Sequence, residues 1–80
     1  MKKLKLIWDF YGEDGKKTAE HHEIHLKEFI IYKQLPINNT GVQKISDNHH
    51  TAFMIVAESD MIMVRDLLKP HRGEWYEEEN

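Results

Sequence analysis

The stretch "HHTAFMIVA", residues 49–57, constrains the fold more than any other part of the chain. Its centre is apolar on both sides of a strand, because Phe53 and Ile55 would point one way and Met54 and Val56 the other. Strands with this pattern lie in the middle of a sheet, with both faces covered. The sequence therefore predicts a central strand at residues 49–57.

The other segments predict three further strands and two helices. Residues 3–11 alternate between two faces, as a strand does. Residues 16–35 contain no glycine or proline and favour a long helix that stops at Pro36. The remaining predicted elements are a strand at 41–46, a helix that begins after an N-cap at Ser59 and ends at Pro70, and a last strand in "GEWYEE".

The order strand, helix, strand, strand, helix, strand favours an α+β, ferredoxin-like βαββαβ fold. In that fold four antiparallel strands lie in the order four, one, three, two, and both helices cover one face. Residues 1–80 are expected to form this single domain, with 77–80 as an acidic, solvated tail.

Size and charge exclude some kinds of partner. The chain has 80 residues, a net charge of −3 with neutral histidines, and no cysteine. We therefore expect no nucleic-acid partner, because no basic surface is implied, and no membrane partner, because no apolar run approaches spanning length. A chain this short is marginally stable alone, which favours a homodimer. The N-terminus does not resemble a cleaved signal, so a cytoplasmic protein is expected.

Six histidines are the most unusual feature of the composition. The predicted fold gathers all of them at one end, since they lie at the start of helix one, the start of strand three and the exit of helix two. Imidazoles with a carboxylate suit nickel, zinc, copper or iron. The predicted metal ligands are His22, His25, His50 and His71. His21 is expected to point away, although its four-residue spacing from His25 also allows a shared ion. The alternative is a solvated helix start without a metal.

Other polar and aromatic residues predict a ligand or catalytic site. Asp9 and Tyr11 share one face of the first strand, and a mid-strand carboxylate needs a hydrogen-bonding partner or water. Both are catalytic candidates, with Asp9 paired to a histidine. Arg72 and Trp75 are candidate ligand-binding residues, Arg72 because its guanidinium suits carboxylate or phosphate groups. The alternative for Arg72 is a cation beside a helix C-terminus.

The segments "HHEIHLKEF" and "FMIVAESDMIMVRDLLKPHRG", together with the order of elements, resemble the dimeric α/β-barrel superfamily. That resemblance implies small ferredoxin-like chains whose open sheet faces meet in a dimer. One similar branch contains small histidine-rich nickel-binding proteins. Other branches contain monooxygenases and isomerases that act on small aromatic or carbonyl compounds.

Three functions are compatible with these patterns. The first is a small dimeric binding protein that holds a transition metal or a small ligand through its histidines. The second is a barrel enzyme of the monooxygenase or isomerase type, with a cavity lined by Asp9, Tyr11 and Trp75. The third is an interaction or stress-related domain that has no site.

Overall fold

The structure is a computed structural model that describes residues 2–77, and its elements follow the predicted order. The strands are β1 (Lys3–Tyr11), β2 (Thr40–Ser46), β3 (His49–Ala57) and β4 (Arg72–Tyr76), and the helices are α1 (Gly15–Lys33) and α2 (Met61–Leu68). All strand pairs are antiparallel, in the order β2-β3-β1-β4. The predicted α+β, ferredoxin-like fold is therefore confirmed.

The core lies between the sheet and the two helices. β1 and β3 occupy the two central positions, and Leu6 lies directly opposite Met54 in their register. The residues buried in this layer come from both central strands and both helices: Leu6, Trp8, Ala19, Leu26, Ile30, Ala52, Met54, Val56 and Val64. Burial of this apolar surface, at about 25 cal/mol per Å², is the main force that holds the helices on the sheet.

α1 follows its apolar spacing closely. Ala19, Leu26 and Ile30 are buried, because their spacing places them on one side of the helix. The helix ends at Lys33, where Gln34 takes a left-handed conformation with φ of 54°. The end therefore comes two residues earlier than residue 35, since Gln34 turns the chain before Pro36 can.

α2 begins differently from the prediction. Ser59 does not cap it, because Glu58–Asp60 form a 3-10 turn that leads directly into Met61, and Asp60 occupies the cap position without a side-chain hydrogen bond. β4 ends at Tyr76 and does not continue into residue 77. Of the predicted tail, 78–80 lie outside the described residues. Within 2–77, no helix has both the length and the apolarity needed to cross a membrane.

The sheet face away from the helices is already partly covered within one chain. Ile7 and Ile55 on this face are only 4% and 0% exposed. The ammonium group of Lys5 lies 4.5 Å from the ring centroid of Phe53 and donates a hydrogen bond of 2.9 Å to Gln43. Long polar side chains thus shield the apolar centre of this face.

Candidate functional site

The end of the fold where β1 ends, α1 begins and β3 starts holds His49, His50 and His71, with His21 and His22 in the first half of α1, whereas His25 lies further along, at the middle of α1. We call this the histidine end. It presents its imidazoles on different surfaces: His21 and His25 lie on the exposed side of α1, His22 and His50 between α1 and the sheet, His49 on the open sheet face, and His71 just before β4. The fold therefore brings most of the histidines toward one end, but it does not point them at one centre.

The closest pair of imidazoles in this group lies on α1. The Nε2 atoms of His21 and His25 are 3.0 Å apart, and the ring centroids are 4.6 Å apart in a nearly perpendicular arrangement. The four-residue spacing produces this contact, because residues four apart lie one above the other on a helix. The Nδ1 atom of His25 lies 2.9 Å from the Glu28 carboxylate. His25 is therefore held from both sides of its ring.

The Glu28 contact fixes the proton on His25. An ionised carboxylate only accepts hydrogen bonds, so Nδ1 of His25 carries the proton that it donates to Glu28. Nε2 of neutral His25 then bears a lone pair, and Nε2 of His21 donates to it. The lone pair of His25 points toward His21, on the solvent-exposed side of the helix.

A second polar group surrounds Asp9 on the open sheet face. Nε2 of His49 lies 2.7 Å from Oδ1 of Asp9, and Arg72 donates to both carboxylate oxygens at 3.1 Å. Register explains the meeting, since Asp9 lies opposite Thr51 and His49 is two residues away on the same face. Arg72 lies opposite Ile7 and reaches Asp9 along the other diagonal.

The Asp9 carboxyl is stabilised in its charged form. The Arg72 hydrogen bonds, and after them the His49 contact, hold its pKa below the ordinary value, against the opposing effect of burial. The same Asp9 contact raises the pKa of the Arg72 guanidinium. Ionised Asp9 accepts the Nε2 proton of His49, so Nδ1 of a neutral His49 keeps its lone pair.

Two more residues complete the surroundings of this pair. The ring of Tyr11 stacks on His49, with centroids 4.3 Å apart and planes 18° apart. Behind Asp9, its backbone N–H donates to Nδ1 of His71 at 2.8 Å. His71 is thereby tied to the strand backbone, and its Nε2 carries the proton when the ring is neutral. The prediction that Asp9 pairs with a histidine is confirmed, and the partner is His49.

His22 is partly buried and His50 is buried, both between α1 and the sheet. His22 packs on Trp8 and Phe10, with centroids 4.9 and 5.5 Å away, and its Nε2 atom is buried without a hydrogen bond. Burial lowers the pKa of His22, and the charges that His25, His71 and His21 would carry lower it further. His50 is 8% exposed, and its Nδ1 is also buried without a partner. His50 is therefore a buried histidine, and His22 lies at the edge of the core.

The structure does not bring the four predicted ligands together. His25 contacts His21 and Glu28, His71 contacts the Asp9 backbone, and His22 and His50 are buried against the core. Within residues 2–77, no three His, Asp or Glu side chains are grouped to hold a metal ion. His21 does not point away from the predicted ligands, because the helix spacing places it against His25.

The two predicted ligand-binding residues, Arg72 and Trp75, do not lie in one site either. Arg72 uses its Nε and one terminal nitrogen on Asp9 instead of presenting the whole guanidinium to a ligand. Trp75 lies opposite Leu4, hence on the helix side of the sheet, whereas Asp9 and Tyr11 lie on the other side. The cavity expected between these three residues is therefore not formed within this chain.

Two features of the histidine end were missed by sequence reasoning. The link from His25 to Glu28 has a visible signal, because an acid three residues after a histidine shares its side of a helix. The choice of His49 rather than His50 as the partner of Asp9 depends on strand register. In the register of β1 against β3, Asp9 lies opposite Thr51 and Tyr11 lies opposite His49, and the residue pattern alone does not specify that register.

Comparison with known proteins found no matching family model, no matching curated protein and no matching solved structure.

Proposed function

We propose that the chain is a small metal-binding protein that holds a divalent transition-metal ion between His21 and His25. The observation that supports this most strongly is the 3.0 Å separation of the two Nε2 atoms on an exposed helix surface. Imidazole nitrogens are good ligands for nickel, copper and zinc. The proposal keeps the predicted use of histidines and replaces the predicted ligand set.

The separation favours a particular coordination geometry. With metal–nitrogen bonds of about 2.0–2.1 Å, two nitrogens 3.0 Å apart subtend an angle of about 95° at the ion. That angle is near the right angle of square-planar and octahedral sites and smaller than the tetrahedral angle. Copper(II) and nickel(II) prefer tetragonal surroundings. We therefore expect both to bind more tightly than zinc.

Glu28 supports this role. Histidine ligands commonly donate their second ring N–H to a carboxylate, which fixes the tautomer and makes the coordinating nitrogen more basic. The Nδ1 of His25 makes this contact with Glu28 at 2.9 Å. His25 is thus prepared to coordinate through Nε2, while His21 must transfer its proton from Nε2 to Nδ1.

Calorimetric titration with nickel(II) and copper(II) tests the proposal. The wild-type chain should bind either ion, and His25→Ala should weaken binding at least tenfold because one nitrogen is lost. The double variant His25→Ala, Lys17→His should recover binding, since residues 17 and 21 restore the four-residue spacing. The matched control His25→Ala, Glu28→His also leaves two imidazoles on this surface, the native His21 and one introduced ring, but seven residues apart, and should not recover binding.

The result against the proposal is equally specific. Binding that survives His21→Ala but is lost in His25→Ala and in His71→Ala or His50→Ala would favour the set predicted from the sequence, His22, His25, His50 and His71. Absence of binding by the wild-type chain would reject both versions.

A second candidate function is supported by the 2.7 Å contact between His49 and Asp9. A histidine held by a carboxylate through one nitrogen can exchange protons through the other. This arrangement supports the enzyme alternative, in which small carbonyl or aromatic compounds are the substrates. Loss of α-proton signals of small carbonyl acids in heavy water, followed by NMR, tests it. Exchange that persists in His49→Gln would exclude His49 as the base.

A further inference from the structure

We infer that a second copy of this chain completes the metal site by packing its α1 against α1 of the first copy. This inference rests on the proposed function. The surface concerned consists of His21, Ile24, His25, Ile31 and Tyr32, which we call the outer face of α1. Its apolar members are strongly exposed: Ile24 by 56%, Ile31 by 74% and Tyr32 by 79%.

The first reason is that the coordination sphere is incomplete in one chain. His21 and His25 supply two nitrogens, and within residues 2–77 no third His, Asp or Glu joins them in a group suited to a metal. Square-planar and octahedral ions take four or six ligands. A second copy related by a two-fold axis through the ion supplies the same two imidazoles again, because such an interface repeats every contact.

The second reason is where the chain leaves apolar surface uncovered. On the open sheet face Ile7 and Ile55 are already buried by neighbours from the same chain. On α1, by contrast, Ile24 and Ile31 are exposed on the side of the helix that faces away from the core. Ile24 lies between the two histidines in sequence, and Ile31 lies further toward the C-terminal end of the helix. Exposed apolar side chains near an incomplete metal site suit a partner that supplies both apolar contacts and further metal ligands.

The third reason concerns the strength of the association. A stable protein interface usually buries about 800 Å² on each partner, which is more than three side chains on one helix supply. Apolar contact alone is therefore insufficient, and the metal must provide the remaining stabilisation. The inference is a dimer that forms when the ion is present and dissociates when it is removed.

The metal-dependent dimer is tested on the full chain by two measurements, sedimentation velocity for the oligomeric state and metal analysis for the number of ions per chain. With chelator the chain should be a monomer, and with nickel(II) it should become a dimer that holds one ion per two chains. The double variant Ile24→Lys, Ile31→Lys should stay monomeric and bind one ion per chain. The matched control Ile62→Lys, Leu67→Lys changes two residues of α2 that are 58% and 54% exposed, and should dimerise normally.

The outcomes separate the two proposals. A wild-type monomer that binds one ion per chain overturns the dimer and leaves the metal function intact. A chain that binds no metal overturns both. A dimer that persists with chelator and is unaffected by the α1 substitutions overturns the inference and places the interface elsewhere.

Discussion

The imidazole of His49 and the carboxylate of Asp9 meet across β1 and β3 at 2.7 Å, and both are mostly shielded from solvent, with side chains 19% and 11% exposed. Arg72, in the edge strand β4 on the other side of β1, donates a hydrogen bond to the same carboxylate. This group links three strands at the histidine end and therefore contributes to stability whether or not it acts on a ligand.

Removal of Arg72 should destabilise the fold through Asp9. Arg72→Met keeps the aliphatic part of the side chain but leaves the carboxylate with His49 as its remaining side-chain partner, which should cost about 1–2 kcal/mol. Urea denaturation at pH 7 measures this. The matched control Arg65→Met removes an arginine whose ion pair with Asp66 is exposed, and should change stability by less than about 0.5 kcal/mol.

The same contacts predict a dependence on acid. The pKa of Asp9 is lowered in the folded chain, so its contribution is fully present above the unfolded value and is lost as the pH falls through the folded value. Arg72→Met should therefore lose less stability than the wild type between pH 5 and pH 3. Parallel acid curves for the two proteins would contradict this account.

His22 predicts a second pH dependence at higher pH. Burial lowers its folded pKa, so the unfolded chain binds the proton more readily. Its contribution is present above the unfolded pKa of about 6.5 and declines as the pH falls toward the lower folded value. Thermal melts with chelator should show that His22→Phe reduces the loss of stability between pH 7 and pH 5. His21→Phe should retain most of that loss, because burial is the largest cause of the lowered pKa of His22 and the charge of His21 is the smallest.

Gly41 in β2 should not tolerate a side chain. A Cβ atom there would lie 2.6 Å from two carbons of the Phe53 ring, which must move away. Overpacking of this kind typically costs about 1–3 kcal/mol, so Gly41→Ala should lower the denaturation midpoint. Combining it with Phe53→Leu should recover part of the loss. Purely additive effects of the two substitutions would show that the ring is not the obstacle.

Sequence patterns were sufficient to predict the fold, because the spacing of apolar residues and the positions of glycine and proline can be recognised within short segments of the chain. The apolar spacing of Ala19, Leu26 and Ile30 determines which side of α1 faces the sheet. The site was less predictable, because contacts between imidazoles depend on strand register and side-chain direction. The predicted fold brought most of the histidines toward one end, but only the register selected His49 for Asp9, and only the helix geometry paired His25 with His21.

The most direct test of the metal proposal is an NMR titration of the ¹⁵N-labelled chain with zinc(II), which is diamagnetic, followed through the ring nitrogens of each histidine. We predict that before zinc is added His25 carries its proton on Nδ1, and that zinc shifts the Nε2 signals of His21 and His25 while His49 and His71 remain in place. Shifts of His22, His50 and His71, with His21 unaffected, would contradict the proposed ligand pair.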